Sequence, residues 1–96
     1  MDEAISRAIA HTGVDAPMSV SSSGGFQMMS STVDANENII TKISRFDINP
    51  DSRHVQKLGE HLNLETQING VPVTSGPLAD PHTPIDPATI RPGDVP

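Results

Sequence analysis

The chain of 96 residues contains no cysteine, tryptophan or tyrosine, and its aromatic residues are two phenylalanines and four histidines. Without cysteine it forms neither disulfide bonds nor cysteine-ligated zinc sites. With so few aromatic rings it is poorly equipped to recognise single-stranded nucleic acid by stacking the bases. The sequence has no apolar run near the roughly 20 residues of a membrane-spanning helix, and no signal peptide pattern at its start. We therefore expect no membrane anchor.

Basic residues are scarce but concentrated. The net charge is −6, which taken alone disfavours nucleic-acid binding. Yet four of the six lysine and arginine residues lie within residues 42–57, whereas residues 1–41 carry only Arg7. A local positive site is compatible with this distribution, and so are ordinary solvated charges. Because a small chain without disulfides has marginal stability, a binding partner or a larger parent protein is also favoured.

The first 25 residues predict a helix and a linker. Apolar residues recur at helical spacing in the helix, which should end at Gly13: Ala4, Ile5, Ala8 and Ile9. Residues 14–25 contain Pro17, a serine run and two glycines. These residue types predict a surface loop without regular structure.

Two strands are expected over residues 26–33 and 38–48, joined by a turn. No single alternation of apolar and polar residues fits the second strand. Either a bulge or burial of both faces at one end would explain this. The following segment, Asn49–Ser52, has the composition of a turn.

The clearest strand signal is "HLNLETQI", residues 61–68. Its alternation sets an apolar face against a polar one; the polar residues are His61, Asn63, Glu65 and Gln67. Asn69-Gly70 predicts a type I′ hairpin turn. Pro72 places the returning strand at a sheet edge, since proline cannot donate a hydrogen bond to a neighbouring strand.

The C-terminal 21 residues contain six prolines, which argue against any regular sheet element. Within them, Asp86 and Pro87 predict a one-turn helix with Asp86 as its N-cap. The expected fold is α+β, with the N-terminal helix packed on a small twisted antiparallel sheet of about four strands and an irregular C-terminus. We expect one domain over residues 1–96, in which residues 1–25 form the helix and linker that precede the sheet, and residues 26–96 form the sheet with the candidate active site.

Two histidines lie close to the clearest strand. His61 is on its polar face, and His54 precedes it across a predicted turn that also contains Lys57. Two imidazoles and a cation suit metal-free RNA cleavage, in which one histidine removes a proton, another group donates one, and the cation stabilises the phosphate. His11, at the predicted helix end, is expected to be structural, because a cationic side chain there favours the helix dipole.

Two other interpretations remain open. His54, His61 and His82, with Glu65 or Asp80, would supply ligands for zinc or another divalent ion, although no His-Glu-x-x-His or His-x-His pattern is present. A non-enzymatic interaction module, such as an immunity or adaptor protein, would fit the net acidity and the proline-rich tail.

Three segments of the second half carry a family resemblance. They are Arg-Phe-Asp-x-Asn-Pro (45–50), His-x-x-Lys-x-Gly-x-His-x-Asn-x-Glu (54–65) and His-Thr-Pro-Ile (82–85). Together they resemble the C-terminal domains of bacterial polymorphic toxins, the effector tips of contact-dependent inhibition and Rhs-type proteins. The resemblance implies the barnase/EndoU/colicin/RelE-like ribonuclease fold. One departure is Glu60, where the family more usually has proline, which adds a negative charge beside His61.

Together, the histidine chemistry and the resemblance predict an endoribonuclease that needs no metal or other cofactor. It would be secreted as part of a larger effector and would cut RNA, with tRNA as a candidate, in the cytoplasm of a competing bacterium. A cognate immunity protein would cover its site. The catalytic residues carried over are His54, His61, Lys57 and Arg45, with the roles of base and acid unassigned. Supporting or substrate-binding residues would be Asn63, Glu65, His82 and Thr83.

Overall fold

The computed structural model describes residues 1–79 and 82–96. The helices are α1 (Asp2–Thr12) and α2 (Arg53–Leu58), followed by 3-10 turns at Pro87–Thr89 and Pro92–Asp94. The strands are β1 (Met18–Val20), β2 (Phe26–Val33), β3 (Ile39–Asp47), β4 (His61–Ile68), β5 (Val71–Pro72) and β6 (Thr83–Pro84). They form an antiparallel sheet in the order β1-β2-β3-β4-β5, with β6 paired to the other end of β4.

Helix α1 packs on one face of the sheet, which confirms the α+β prediction. It approaches closely because small residues, Ala4 and Ala8, face the strands and are buried. The hydroxyl of Ser44 on β3 donates a hydrogen bond to the Ala8 carbonyl at 2.9 Å. His11 contacts the carbonyl oxygen of Glu65 through Nε2 at 2.7 Å, so it ties the helix to β4.

The register of β3 and β4 decides between the two explanations offered for β3. Pairing continues without a slip from Ile40 opposite Ile68 to Asp47 opposite His61. A bulge is therefore not needed. Both faces are covered at the end of β3, where Phe46 is buried on one side and Asp47 on the other.

The prediction of an unstructured linker over residues 14–25 was wrong in part, because β1 forms there. Pro17 precedes the first paired residue, so its missing N–H costs no bond within β1. A tight turn returns the chain to β2; the Ser21 N–H donates to the Gly25 carbonyl at 2.8 Å, and the Gly24 N–H donates to the Ser21 carbonyl at 3.0 Å. Gly25 is required because a Cβ there would lie 2.0 Å from the Phe46 carbonyl oxygen.

The segment before β4 was expected to be a turn, but it folds as helix α2. Six residues are too few to show a helical apolar period, although buried Val55 anchors the helix. The helix ends at Gly59, whose N–H donates a hydrogen bond to the Val55 carbonyl at 2.7 Å and whose φ is 79°.

The prediction that the proline-rich tail contains no regular sheet element was also wrong, because β6 forms there. Strand β6 lies at the sheet edge, where Pro84 needs no N–H, and Ile85 donates to the Glu60 carbonyl at 3.0 Å.

Other turn predictions are confirmed. Asn69 and Gly70 have φ values of 52° and 81°, as a type I′ turn requires, and β5 is an edge strand. Asp86 accepts a hydrogen bond from the Ala88 N–H as an N-cap.

The end of the tail is held near the start of α1 by charged groups. Arg91 pairs with Asp2 at 2.9 Å and with Asp94 at 3.2 Å. The hydrogen bond that the Asp94 carboxylate accepts from the Arg91 backbone N–H lowers the pKa of Asp94, and the guanidinium lowers it further.

Candidate active site

The candidate site lies on the sheet face opposite α1, where β3 ends and β4 begins. Asp47 is paired with His61, and Arg45 with Asn63. Directly opposed residues of antiparallel strands project to the same side. The four side chains therefore share one face. Three of them are buried: Asp47, His61 and Asn63.

Asp47 is the centre of the cluster, with a side chain only 1% exposed. Its Oδ1 accepts a hydrogen bond from the Ser23 hydroxyl at 2.8 Å. Its Oδ2 accepts from the Asn63 amide and from Arg45 Nε, the latter at 3.4 Å. These donors compensate for burying the carboxylate.

Both histidines meet this carboxylate and each other. His61 Nε2 lies 3.3 Å from Asp47 Oδ2, and His54 Nε2 lies 3.6 Å from the same oxygen. The two Nε2 atoms are 3.1 Å apart, and the rings meet edge to face. His61 is buried, whereas the His54 side chain is 44% exposed. His54 is therefore the member of the pair that a substrate can reach.

The hydrogen bonds constrain the tautomers of the two histidines when both rings are neutral. His61 Nδ1 lies 2.7 Å from the Gly59 carbonyl oxygen, which can only accept, so Nδ1 carries a proton. In neutral His61, Nε2 is then an acceptor, and its neighbour His54 must donate from Nε2–H. The lone pair of neutral His54 is consequently on Nδ1, which has no hydrogen-bond partner among residues 1–79 and 82–96.

His82 adds a third imidazole. Its ring stacks on that of His61, with centroids 5.5 Å apart and planes inclined by 18°. Arg45 lies between two grooves that flank the histidines. One, of about 520 Å³, includes residues 20–23 and His54; the other, of about 310 Å³, includes Glu65 and His82.

Three further residues named from the sequence stand apart from the Asp47 contacts. Lys57 is exposed on α2, one turn beyond His54. Glu65 shares the face of His61 and Asn63, and accepts a hydrogen bond from the Gln67 amide at 3.3 Å. Thr83 pairs with Leu62 and so lies on the opposite face from His61.

Sequence reasoning missed Asp47 and Ser23. Asp47 had a signal in the sequence, since it lies between the apolar residues Phe46 and Ile48 and falls within the segment 45–50 that carries the resemblance. Ser23 had none, because its role depends on the β1–β2 turn reaching the end of β3.

The possible metal ligands also differ from those expected. Asp47, His54 and His61 place one ligand atom each within 4.8 Å of one another. Of the carboxylates expected to join the histidines, Glu65 is not part of this group, and Asp80 lies outside the described residues.

No protein-family model matches this chain, and comparisons with curated proteins and with solved structures found no match either. The resemblance to polymorphic toxin domains therefore stays a prediction. In the described part of the chain, no helix combines the length and apolar character needed to cross a bilayer.

Proposed function

We propose that this protein is a metal-independent endoribonuclease of the polymorphic toxin type, which cleaves RNA by transphosphorylation at the His54–His61 pair. The observation that carries the proposal is the 3.1 Å contact between the two Nε2 atoms beside the buried Asp47 carboxylate. An exposed imidazole, linked to a buried one that faces an anion, is an arrangement suited to proton transfer at neutral pH.

His54 acts as the base in this proposal. Its Nδ1 lone pair takes the proton of a ribose 2′-hydroxyl, and the 2′-oxygen attacks the adjacent phosphorus. The Nε2 proton of His54 then moves to Nε2 of His61, which becomes an imidazolium facing Asp47 Oδ2 at 3.3 Å. The carboxylate stabilises this cation, as the aspartate of a catalytic triad does.

The leaving 5′-oxygen also needs a proton when its bond to phosphorus breaks. His82 is our candidate donor, because its ring lies against His61 and lines a groove with Arg45. The products are a 2′,3′-cyclic phosphate and a free 5′-hydroxyl.

Arg45 is the candidate phosphate ligand. Its contact with Asp47 is made through Nε, and in residues 1–79 and 82–96 its terminal nitrogens make no other ion pair. A guanidinium held in this way presents two donors to a phosphate at the junction of the two grooves. Lys57, exposed on α2 one turn beyond His54, is a second candidate cation for the phosphate.

The test is cleavage of total RNA by the purified chain in the presence of EDTA. We expect activity that His54→Ala abolishes and that Arg53→Ala, a change at the exposed neighbour of His54 on α2, preserves. His61→Ala should also abolish it, with circular dichroism to verify folding, since His61 is buried. Absence of cleavage under all conditions, together with no growth inhibition on expression, would contradict the proposal; activity lost only with EDTA would indicate a metal-dependent hydrolase.

The toxin assignment, with RNA of a competing bacterium as substrate and a cognate immunity protein as partner, is supported by the resemblance of residues 45–50, 54–65 and 82–85. It has a separate genomic test. The coding sequence should lie at the end of a very long reading frame, directly followed by a small gene whose product binds this chain and suppresses cleavage.

A further inference from the structure

We propose that Asp47, His54 and His61 bind a single divalent transition-metal ion such as Zn²⁺, and that the bound ion inhibits RNA cleavage. The metal site is inferred from the geometry of the three side chains alone. The inhibition rests on the function proposed above.

The spacing of the three ligand atoms suits such an ion. The distances between Asp47 Oδ2, His54 Nε2 and His61 Nε2 are 3.1, 3.3 and 3.6 Å. Zinc binds histidine nitrogen and carboxylate oxygen at about 2.0–2.1 Å, so atoms on two corners of its tetrahedron lie about 3.3–3.4 Å apart. A small rotation of the exposed His54 ring would centre one ion among the three atoms.

The surroundings of the ligands also resemble those of a metal site. The second ring nitrogen of His61 donates to the Gly59 carbonyl, which aims Nε2 at the centre of the triangle. The second oxygen of Asp47 is held by Ser23 at 2.8 Å. Hydrogen bonds of this kind orient the ligands in established metal sites.

The chemistry of the donors selects the class of ion. Two imidazole nitrogens and one carboxylate oxygen suit Zn²⁺, Co²⁺ or Ni²⁺ better than Mg²⁺ or Ca²⁺, which prefer oxygen. Asp47 and His54 line a groove of about 520 Å³, which leaves the fourth position to water. Arg45 and Asn63 also contact Asp47 Oδ2, and the nearby guanidinium charge opposes a cation. We therefore expect reversible binding rather than a permanent structural ion.

Inhibition follows from the protonation states. A neutral imidazole that binds metal through Nε2 carries its proton on Nδ1. Bound metal would thus remove the Nδ1 lone pair with which His54 acts as base, and would occupy the Nε2 atoms between which the proton passes. Metal binding and catalysis compete for the same lone pairs.

Binding can be measured without any activity, by calorimetric titration of chelator-treated protein with ZnCl₂. We expect one equivalent to bind the wild type, and His54→Ala to bind at least about tenfold more weakly. Arg53→Ala and His11→Gln should bind Zn²⁺ like the wild type. The first control shows that a change of surface charge near the site does not alter binding, and the second shows that the loss of a histidine elsewhere does not. Co²⁺ should give the visible absorption of a tetrahedral site. No binding by the wild type, or equal binding by His54→Ala, would overturn the site.

The inhibition is tested by adding graded Zn²⁺ to the RNA cleavage assay. Activity should fall over the concentration range in which calorimetry shows binding, and EDTA should restore it. Unchanged or stimulated cleavage at saturation would overturn the inhibitory role and leave the site standing. If the metal-free protein cleaves no RNA, the proposed function and the inhibition fail together, while calorimetry still decides the metal site.

Discussion

Replacing Asp47 with asparagine tests the electrostatic centre of the site. The change preserves shape and removes the charge that faces His61 at 3.3 Å. At an effective dielectric constant of about 20, opposite unit charges at that distance attract by about 5 kcal/mol. Arg45, 3.4 Å from the same carboxylate, already offsets part of that charge. If about half of that attraction stabilises the His61 imidazolium in the transition state, its loss raises the activation free energy by the same amount. Because each 1.36 kcal/mol of activation free energy changes the rate tenfold, kcat/KM should fall by about 10²-fold.

The assay is initial-rate cleavage of a short fluorogenic RNA in EDTA, with thermal unfolding followed in parallel. Unfolding must be measured because the Asp47 carboxylate also accepts hydrogen bonds from Ser23 and Asn63, so the substitution changes stability as well as charge. Ser23→Ala is the companion variant, since it keeps the Asp47 charge and removes one of the hydrogen bonds that the carboxylate accepts, and its activity should fall much less. A folded Asp47→Asn protein with kcat/KM within twofold of wild type would refute the role assigned to the carboxylate.

Three further predictions concern the fold. Gly25→Ala should lower the free energy of unfolding in urea by about 3 kcal/mol or more, because the new Cβ would lie 2.0 Å from a β3 carbonyl oxygen. Gly93→Ala is the control: a Cβ there has no atom within 4 Å, so the free energy of unfolding should change little. Leu62→Ala should cost about 2–5 kcal/mol, since Leu62 is fully buried, and a loss under 1 kcal/mol would contradict the described core. The pKa of Asp94 is lower in the folded protein than its ordinary value of 3.8. The ionised carboxylate therefore stabilises the fold at pH values above 3.8, and this stabilisation is lost as the pH falls through the lowered pKa. Acid unfolding of Asp94→Asn should therefore depend less on pH over that range, and an unchanged pH dependence would argue against the contact with Arg91.

Local patterns predicted the elements that depend on neighbouring residues. The alternation in residues 61–68 gave β4 and the shared face of His61, Asn63 and Glu65, and Asn69-Gly70 gave the turn that follows. The same alternation did not indicate that His61 and Asn63 are buried. It cannot show that the β1–β2 turn brings Ser23 onto Asp47, or that His82 stacks on His61.

The elements that were missed owe their structure to distant partners. Strands β1 and β6 are too short to form by propensity, and each exists because a longer strand pairs with it. Asp47 was missed for the same reason, because its contact with His61 follows from the register of β3 against β4. That register depends on the whole sheet, not on the residues around Asp47.

The central claim is that the His54–His61 pair cleaves RNA through the 2′-hydroxyl without metal. It is tested most directly by comparing, in EDTA, the cleavage of an RNA oligonucleotide and of its fully 2′-O-methylated counterpart, with the product ends identified by mass spectrometry. We expect the RNA to yield 2′,3′-cyclic phosphate ends and the methylated strand to remain intact. Equal cleavage of both strands, or products that carry 5′-phosphates, would contradict it.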